Sequence, residues 1–344
     1  MNVWIDVAHI PQYNFYRWLI EKLSSEGHTV YVTVLDRGKL AKIVRKEIGQ
    51  KKNIVIDVVG RHRSKRWSAV LEANFLRNLQ LMRWAIGKHI DVGFSNGYQL
   101  ALIGFVKHFP SYSFDDDPET IDYRPKLWFN KETNYCLYRY DGKLSPKVHV
   151  LPVLKEWSYL SPTYFHAVKS ALDEYGLKPK EYVFVREVSV GTVNYVGQDY
   201  GAVLDKVDKF PKEKKVVLSL ECKEKRGLYP KDWILLQEPV RDVHSLIYYS
   251  AALVSSGDSM AREAALLGVP SYYLGARSAM PANKAATELA GLQNCQTQPF
   301  EEWIDGLSNE ITALEEQQNQ LRNDLLIQMM DINAYMHSKI DICS

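Results

Sequence analysis

Short apolar segments alternate with segments of helical composition along the first third of this 344-residue chain. Five of the apolar segments have the composition of buried strands, and Gly, Asn, Asp or Ser residues bound most of them. The predicted strands are residues 3–7, 29–34, 53–59, 92–95 and 111–114. Strands that alternate with helices at short spacing are typical of a parallel sheet with crossover helices. The predicted fold class is therefore α/β, with a doubly wound parallel sheet and ligands beyond the carboxyl ends of its strands.

The same alternation returns after a less regular region in the middle of the chain. Residues 127–159 contain short extended runs that Pro146 and Pro152 interrupt, and a helix is predicted at 163–175. An apolar run at 182–186 then begins a second series of strands and helices. We place a domain boundary near residue 160, which gives two domains, 1–160 and 161–344. The length of the chain suits two domains of ordinary size.

Composition and missing motifs exclude several classes of protein. The net charge is +2, from 43 basic and 41 acidic residues, so no nucleic-acid partner is expected. The four cysteines form no CxxC pair, and no metal site or cofactor is predicted. No signal peptide or run of eighteen apolar residues is found, which predicts a cytoplasmic protein. There is also no P-loop and no GxGxxG after the first strand, which argues against a dinucleotide site.

One segment, SSGDSMAREAALLGVP at 255–270, has the pattern of a turn followed by a helix and a stop. Its turn would place the backbone N–H groups of Gly257, Asp258 and Ser259 at a helix N-terminus, which favours a phosphate group. Glu263 follows about one helical turn later, so its carboxylate can reach the same crevice. The alternative is an ordinary βαβ unit with a small-residue cap and an exposed glutamate.

Other polar residues follow predicted strands in the first domain. His9 comes after the first strand as a candidate base that Asp6 would orient, and Asn96 and Gly97 come after the fourth. The cluster 115–117 follows the fifth strand, and mutual repulsion of its carboxylates would suit a general base. The alternatives are a structural histidine and a solvated turn.

The second domain adds a cation and several residues to which we give smaller roles. Arg186 ends its first strand, where a guanidinium can neutralise a diphosphate, the alternative being a surface salt bridge. Residues 191–194 follow it as further backbone donors. His244 is predicted to be an exposed helix residue, and Arg262 to pair with a neighbouring acid.

The densest basic run, RHRSKRW at 61–67, leads into a predicted helix at 68–86 that carries an apolar stripe. A basic amphipathic helix can lie on an anionic membrane surface. A peripheral membrane contact through residues 61–86, at the inner face of the membrane, is therefore one interpretation. The other is that the stripe packs on the sheet and the basic loop is solvated.

Three segments together resemble one family of sequences. They are WIDVAHIPQYNFYRWLIEKLSSEGHTVYVT, SFDDDPE and LIYYSAALVSSGDSMAREAALLGVP. They are similar to the domain of unknown function family 354, in the GT-B superfamily with UDP-GlcNAc 2-epimerases and UDP-sugar glycosyltransferases. The resemblance implies two Rossmann-like domains facing a cleft, with the last helix packing back on the first domain. This sequence departs from the epimerases at Tyr98, where those enzymes carry an aspartate.

The resemblance also implies a function. Gly257, Asp258 and Ser259 match the turn that meets the diphosphate, and Glu263 matches the ribose ligand of the UDP moiety. The Asp-rich segment of the family favours Asp116 and Asp117 as the base. The expected activity is a glycosyltransferase that moves a sugar from a UDP-sugar to a sugar or lipid-linked acceptor in the synthesis of cell-surface glycans. The alternatives are a UDP-GlcNAc 2-epimerase-like enzyme and a non-catalytic nucleotide-sugar or membrane-surface binding protein.

Overall fold

The computed structural model describes residues 1–63, 72–190, 198–237, 240, 242–277, 279–307 and 314–341. Its contacts divide the chain into two compact units. The first comprises Met1–Tyr159 and Met330–Ser344, and the second comprises Leu160–Met329. Within the described ranges, no helix combines the length and the hydropathy needed to cross a bilayer.

The first unit contains a seven-stranded sheet whose named strands all pair in parallel. The order is β3-β2-β1-β4-β5-β6-β7, so the direction of winding changes between β1 and β4. The doubly wound parallel sheet predicted from the alternating pattern is confirmed. The strands are β1 Asn2–Val7, β2 Thr29–Asp36, β3 Ile54–Arg61, β4 Val92–Ser95, β5 Ser111–Asp115, β6 Glu132–Cys136 and β7 Val148–Leu151.

Helices cover this sheet because their apolar faces match its buried residues. Trp4 of β1 stacks against Trp84, and the pair belongs to a core cluster that also holds Leu81 and Leu100. The described part of this unit contains six α-helices, and a π-helical turn comes directly before the third of them. A single helical turn, Trp157–Leu160, lies at the end of this part of the chain. The helices are Ile10–Ser25, Leu40–Ile48, Glu72–Leu76 (π), Arg77–Ala85, Gln99–Lys107, Arg124–Phe129 and Ile332–Asp341.

The prediction of a helix at 163–175 is wrong. Only a short 3₁₀ helix, Lys169–Tyr175, forms there, and it ends at Gly176 in the left-handed conformation. The backbone N–H of Val168 donates to the Ser245 hydroxyl at 2.9 Å instead of to a carbonyl of its own segment. A tertiary hydrogen bond has therefore replaced the local one that a helix needs.

The second unit contains a six-stranded parallel sheet of the same winding. Its order is β10-β9-β8-β11-β12-β13, so the direction changes between β8 and β11. Residues such as Phe300, Tyr272 and Trp303 pack one face of this sheet into an aromatic core. The strands are β8 Tyr182–Glu187, β9 Lys215–Leu220, β10 Ile234–Leu235, β11 Ala252–Ser255, β12 Ser271–Tyr273 and β13 Gln293–Asn294.

The helices of the second unit are short, and several connections are 3₁₀ turns. The connection between β8 and β9, for example, contains the 3₁₀ helix Leu204–Lys209. The described 3₁₀ helices of this unit are Lys169–Tyr175, Leu204–Lys209 and Lys223–Leu228. The α-helices are Val243–Tyr248, Asp258–Leu266, Pro281–Ala290, Phe300–Gly306 and Leu314–Gln328.

Candidate functional site

The ends of three adjacent strands bring the predicted residues of the first unit to one edge of its sheet. β1 pairs with β4, and β4 pairs with β5, all in parallel. His9, Asn96 and Asp116 follow these three strands in turn. This edge lies at the change of winding, where α/β sheets bind their ligands.

His9 occupies the N-cap position of the Ile10–Ser25 helix in an extended conformation. Its carbonyl oxygen accepts from the N–H groups of Gln12 and Tyr13, while its imidazole makes no cap hydrogen bond. Burial, with the charges of Lys155 and Arg37, lowers the pKa of His9 to about 3, although Asp116 and Asp115 act to raise it. The imidazole is therefore neutral at pH 7.

Lys155 is a residue of this edge that the sequence analysis missed. Its Nζ donates to Asp116 Oδ1 at 2.7 Å, and its side chain is only 6% exposed. Burial alone would lower the pKa of Lys155, but Asp116 and Asp115 outweigh burial and raise it. The pair places one buried cation and one partly buried carboxylate in the electrostatic environment of His9.

The other two carboxylates of the acidic cluster have structural partners. Asp115 Oδ2 accepts from Lys126 Nζ at 2.6 Å, and the Lys126 side chain is 2% exposed. Asp117 accepts from the Glu119 N–H at 3.1 Å and caps the short helix Pro118–Thr120. The predicted repulsion within the cluster is thus relieved by two lysines, and Asp116 is the carboxylate that most raises the pKa of His9.

The sequence analysis expected Asp6 to orient His9, but the carboxylate of Asp6 has other partners. Its carboxylate is buried and accepts from Thr33 Oγ1 at 2.6 Å and from Arg77 at 2.7 Å. Asp6 is also not among the charges that shift the pKa of His9. The aspartates that act on His9 come from the end of β5 instead.

Asn96 follows β4 with its side-chain amide buried and unpaired. Both Oδ1 and Nδ2 are shielded from solvent, and neither has a hydrogen-bond partner. An unpaired buried amide is costly, so such a group is a place where a ligand hydroxyl would be stabilised. Gly97 beside it is close-packed, since an added Cβ would lie 2.1 Å from Gln99 Oε1.

In the second unit, the predicted phosphate turn follows β11 and begins the Asp258–Leu266 helix with Gly257 as N-cap. The N–H of Gly257 donates to Ser255 Oγ at 3.0 Å, and the N–H of Ser259 donates to Asp258 Oδ1 at 2.9 Å. Two of the three predicted donors therefore have acceptors within the turn, and a phosphate group would share or replace these.

The carboxylate of Asp258 is offset by two arginines. Its Oδ2 lies 3.4 Å from Arg262 and 3.9 Å from Arg277. Arg262 is buried and also donates to Asn283 Oδ1 at 2.8 Å. The expected pairing of Arg262 with a neighbouring acid is confirmed, and Arg277 and Asn283 are additional polar groups at this helix N-terminus.

Glu263 lies one turn further along, buried on the side of the helix that faces His244. Its Oε1 is 3.4 Å from His244 Nε2, and the two side chains are 8% and 17% exposed. The prediction that His244 is an exposed helix residue is therefore wrong. The local pattern of residues 243–248 does not show that this helix packs beside the Asp258–Leu266 helix.

Arg186 lies on β8, directly beside β11, with Arg186 and Ser255 in register. Its guanidinium donates to Ser219 Oγ at 2.9 Å and forms an ion pair with Glu221. Arg186, Gly257 and Ser259 thus share one carboxyl edge of the sheet, at its change of winding. Residues 191–194 lie outside the described residues, and so does much of the basic run, residues 64–67.

Comparison with known proteins identifies the class of fold. A spinosyn rhamnosyltransferase, SpnG, complexed with thymidine diphosphate, superposes with a TM-score of 0.65 at 11% identity, covering 98% of this chain and 99% of SpnG. The glycosyltransferase VinC in complex with dTDP gives 0.65 at 11% identity, covering 100% and 99%. A putative UDP-N-acetylglucosamine 2-epimerase from Listeria monocytogenes gives 0.63 at 12%, covering 97% and 93%.

The chain therefore has an α/β fold with two parallel sheets, similar to the GT-B glycosyltransferases. Residues 1–112 match the family described as "Protein of unknown function (DUF354)". No curated protein matches the sequence. The resemblance to this family is confirmed over residues 1–112, and the similarity of fold to GT-B glycosyltransferases is confirmed over nearly the whole chain.

Proposed function

We propose that the protein is a glycosyltransferase that moves a sugar from a nucleoside diphosphate sugar, most simply a UDP-sugar, to a hydroxyl-bearing acceptor. The observation that carries this proposal is similarity over nearly the whole chain to glycosyltransferases. SpnG has one structure with thymidine diphosphate and another with the spinosyn aglycone. A sugar or lipid-linked acceptor in glycan synthesis is our proposal for the natural acceptor.

The donor nucleotide is assigned to the second unit. The Asp258–Leu266 helix directs its N-terminus toward the carboxyl edge of the sheet, where its dipole favours a diphosphate. Arg262 and Arg277 offset the charge of Asp258, so this carboxylate does not repel the phosphates as an unpaired one would. Glu263 is the proposed ligand of the ribose hydroxyls, because a carboxylate accepts from two hydroxyls at once.

The acceptor is assigned to the carboxyl edge of the first unit. The unpaired amide of Asn96 suits a sugar hydroxyl, which donates and accepts one hydrogen bond each. His9 is neutral there and has an unprotonated ring nitrogen with which to accept a proton. Asp116 favours the protonated form of His9, so it stabilises the imidazolium that results.

In the proposed reaction, His9 takes the proton of the acceptor hydroxyl as its oxygen attacks the anomeric carbon of the donor sugar. The bond between that carbon and the diphosphate oxygen breaks, and the nucleoside diphosphate leaves with the electron pair. The helix N-terminus stabilises the charge that develops on the leaving group. A base with a pKa of about 3 is weak at pH 7 even with the charge of Asp116 included, so the step depends on stabilisation of the leaving diphosphate.

The first test is thermal stability against UDP, TDP, GDP, ADP and their sugar derivatives. A ligand that binds only the folded protein raises the melting temperature by mass action. We expect a shift with UDP or TDP, and a larger shift with one of the corresponding sugars. The Glu263→Gln variant should lose most of the shift, about tenfold or more in affinity, because it loses a charge-assisted hydrogen bond.

The matched control is Glu302→Gln, which changes an exposed glutamate of the same unit. It should bind the nucleotide as the wild type does. If no nucleotide changes the melting temperature, or if Glu263→Gln binds as tightly as Glu302→Gln, the donor assignment is wrong.

A second function, epimerisation of the sugar on its nucleotide, is favoured by the similarity to the putative UDP-N-acetylglucosamine 2-epimerase. The two reactions differ in what they need. A transferase releases the nucleoside diphosphate in proportion to acceptor, whereas an epimerase changes the sugar with no acceptor present. Incubation with UDP-N-acetylglucosamine alone, followed by NMR of the sugar, separates them.

A further inference from the structure

A pocket of about 290 Å³ lies in the second unit, and its wall adjoins the donor residues, because Phe165 packs edge-on against His244, which lies 3.4 Å from Glu263. It lies where residues 162–167 pass the end of the Val243–Tyr248 helix and the side of the Leu314–Gln328 helix. None of Gly257, Ser259, Glu263 and Arg186 contributes to its walls. The lining residues are Pro162, Phe165, His166, Ala167, Tyr248, Tyr249, Glu315 and Arg322.

Arg322 is the charged group of this pocket, and its side chain is incompletely paired. The residue is only 7% exposed, and one of its terminal nitrogens donates to the carbonyls of Leu160 and Phe165, at 3.2 and 3.1 Å. Its Nε is buried with no hydrogen-bond partner. Within the described residues, the guanidinium has no carboxylate partner, although it carries five N–H donors.

A second, partly buried cation also lies near Tyr248, with Lys180 Nζ 5.8 Å from the centre of its ring. Lys180 Nζ donates to the carbonyls of Tyr248 and Ser250 and to Gln318 Oε1, and burial lowers its pKa to about 8. Glu315 is the acidic residue of the pocket wall, and it is exposed to solvent. Asp242 also acts on Tyr249 of the pocket wall. An anion placed against Arg322 would offset the charge of its buried guanidinium.

The remaining walls are aromatic. The Arg322 guanidinium lies 5.4 Å from the ring centre of Tyr248 and 5.8 Å from that of Phe165. Ring faces next to a cation hold it in place and offer a flat apolar surface to a neighbouring group. The volume is near the lower limit of pockets that hold small molecules.

We propose that this pocket is a binding site for a small organic anion. A carboxylate or phosphate group would accept from the Arg322 guanidinium, and an apolar or aromatic body would pack on Phe165, Tyr248 and Tyr249. No residue assigned to the donor lines this pocket, so the proposal does not rest on the proposed transferase activity.

The test uses benzoate and phenyl phosphate as probes, with inorganic phosphate and neutral benzamide for comparison. Binding is measured by calorimetry and by the shift in melting temperature at low and high salt. We expect benzoate or phenyl phosphate to bind at least about tenfold more tightly than benzamide, because only the anions complete the donors of Arg322. Inorganic phosphate shows how much of the affinity comes from the charge alone, and high salt should weaken the anions only.

Two variants and two controls locate the binding. Arg322→Gln removes the charge of the pocket. Ala167→Phe fills the pocket but keeps Arg322, so this second variant tests the proposal even if Arg322→Gln does not fold. Each should weaken the binding of the probe by about tenfold or more. Arg226→Gln is the matched control, since Arg226 also donates to backbone carbonyls in this unit. Glu263→Gln, in the donor site, should likewise leave the probe affinity unchanged.

The proposal is overturned if benzamide binds as well as benzoate, or if no anion binds. Unchanged binding in Ala167→Phe would place the anion elsewhere and would overturn it too. Loss of nucleotide binding in Glu263→Gln with retained benzoate binding would separate this site from the donor site.

Discussion

The protonation state of His9 depends on its neighbours more than on its own chemistry. Burial, Lys155 and Arg37 lower its pKa, while Asp116 and Asp115 raise it. These charged groups come from segments that are far apart in the sequence, since Lys155 and Asp116 are 39 positions apart. A residue whose charge is set by such a balance is sensitive to the loss of any one partner.

Removing the charge of Lys155 should raise the pKa of His9. In Lys155→Met, we expect a value above about 3 but below the ordinary 6.5, because burial still opposes the charged form. An NMR titration of the His9 ring measures it directly. Lys178→Met, at an ion pair whose lysine is 76% exposed, is the control and should leave the titration unchanged. An equal pKa in wild type and Lys155→Met would contradict the assigned electrostatics.

The same depressed pKa predicts how stability changes with pH. Below pH 6.5 the histidine of the unfolded chain binds a proton that the folded protein does not bind until about pH 3. His9 therefore makes the free energy of unfolding fall as the pH falls through this window, by at most about 1.4 kcal/mol per pH unit. Urea unfolding of wild type and His9→Gln at several pH values gives the difference. The slope should be smaller in the variant, and identical slopes would refute the prediction.

At the scale of the elements, the connection after the Asp258–Leu266 helix depends on a glycine. Gly268 has φ +70°, and an added Cβ would lie 2.7 Å from the Cα of Gln318. The glycine therefore permits both the left-handed turn and the close approach of the Leu314–Gln328 helix. The same turn delivers the chain to β12.

Replacing Gly268 with alanine should destabilise the second unit. The left-handed conformation costs about 1–2 kcal/mol, and displacing the backbone of a packed helix costs about 1–3 kcal/mol more. Gly291→Ala is the control, since Gly291 has φ +69° with no atom within 4 Å of its added Cβ. Urea unfolding should show the larger loss for Gly268→Ala. Equal losses would mean that the close approach of the helix contributes nothing.

Local pattern predicted the elements that bury a continuous apolar run and missed those that tertiary contacts decide. The strands predicted at 92–95 and 111–114 agree with the structure to within one residue, because period and composition agree there. The failure at 163–175 came from a hydrogen bond to Ser245, which the local sequence does not show.

The candidate sites show the same division. The sequence pattern indicates that His9, Asn96 and Asp116 follow strands, and parallel pairing then brings those strand ends together. It contains no signal that Lys155 pairs with Asp116, or that His244 contacts Glu263. Such pairings are properties of packed elements, and a single sequence specifies them only through the whole fold.

At the scale of the molecule, the first unit is completed by residues from the end of the chain. Asn333 Nδ2 donates to the Ser158 carbonyl at 2.7 Å, and Lys339 Nζ lies 2.7 Å from Glu132 Oε2. Met336 and Ile340 are buried in the same unit. The Ile332–Asp341 helix is therefore part of the packing of the first unit.

Deleting the chain from residue 330 onward should destabilise the first unit, by about 3–6 kcal/mol for the two apolar side chains alone. Calorimetry should show a lower melting temperature for its transition and little change in that of Leu160–Met329. Met336→Ala should reproduce part of the effect, and Ile327→Ala, at an 86% exposed position, should have none. A transition that does not move would show that this helix contributes no packing energy.

The path of the chain through the two units has a consequence for how the protein is made. The chain leaves the first unit at Tyr159 and returns to it at Met330, so the second unit is one uninterrupted stretch. A ribosome therefore finishes every residue of the second unit before it makes the helix that closes the first. During that interval the first unit exposes the surface that the Ile332–Asp341 helix later covers. An exposed apolar surface of this kind on a nascent chain is a binding site for chaperones.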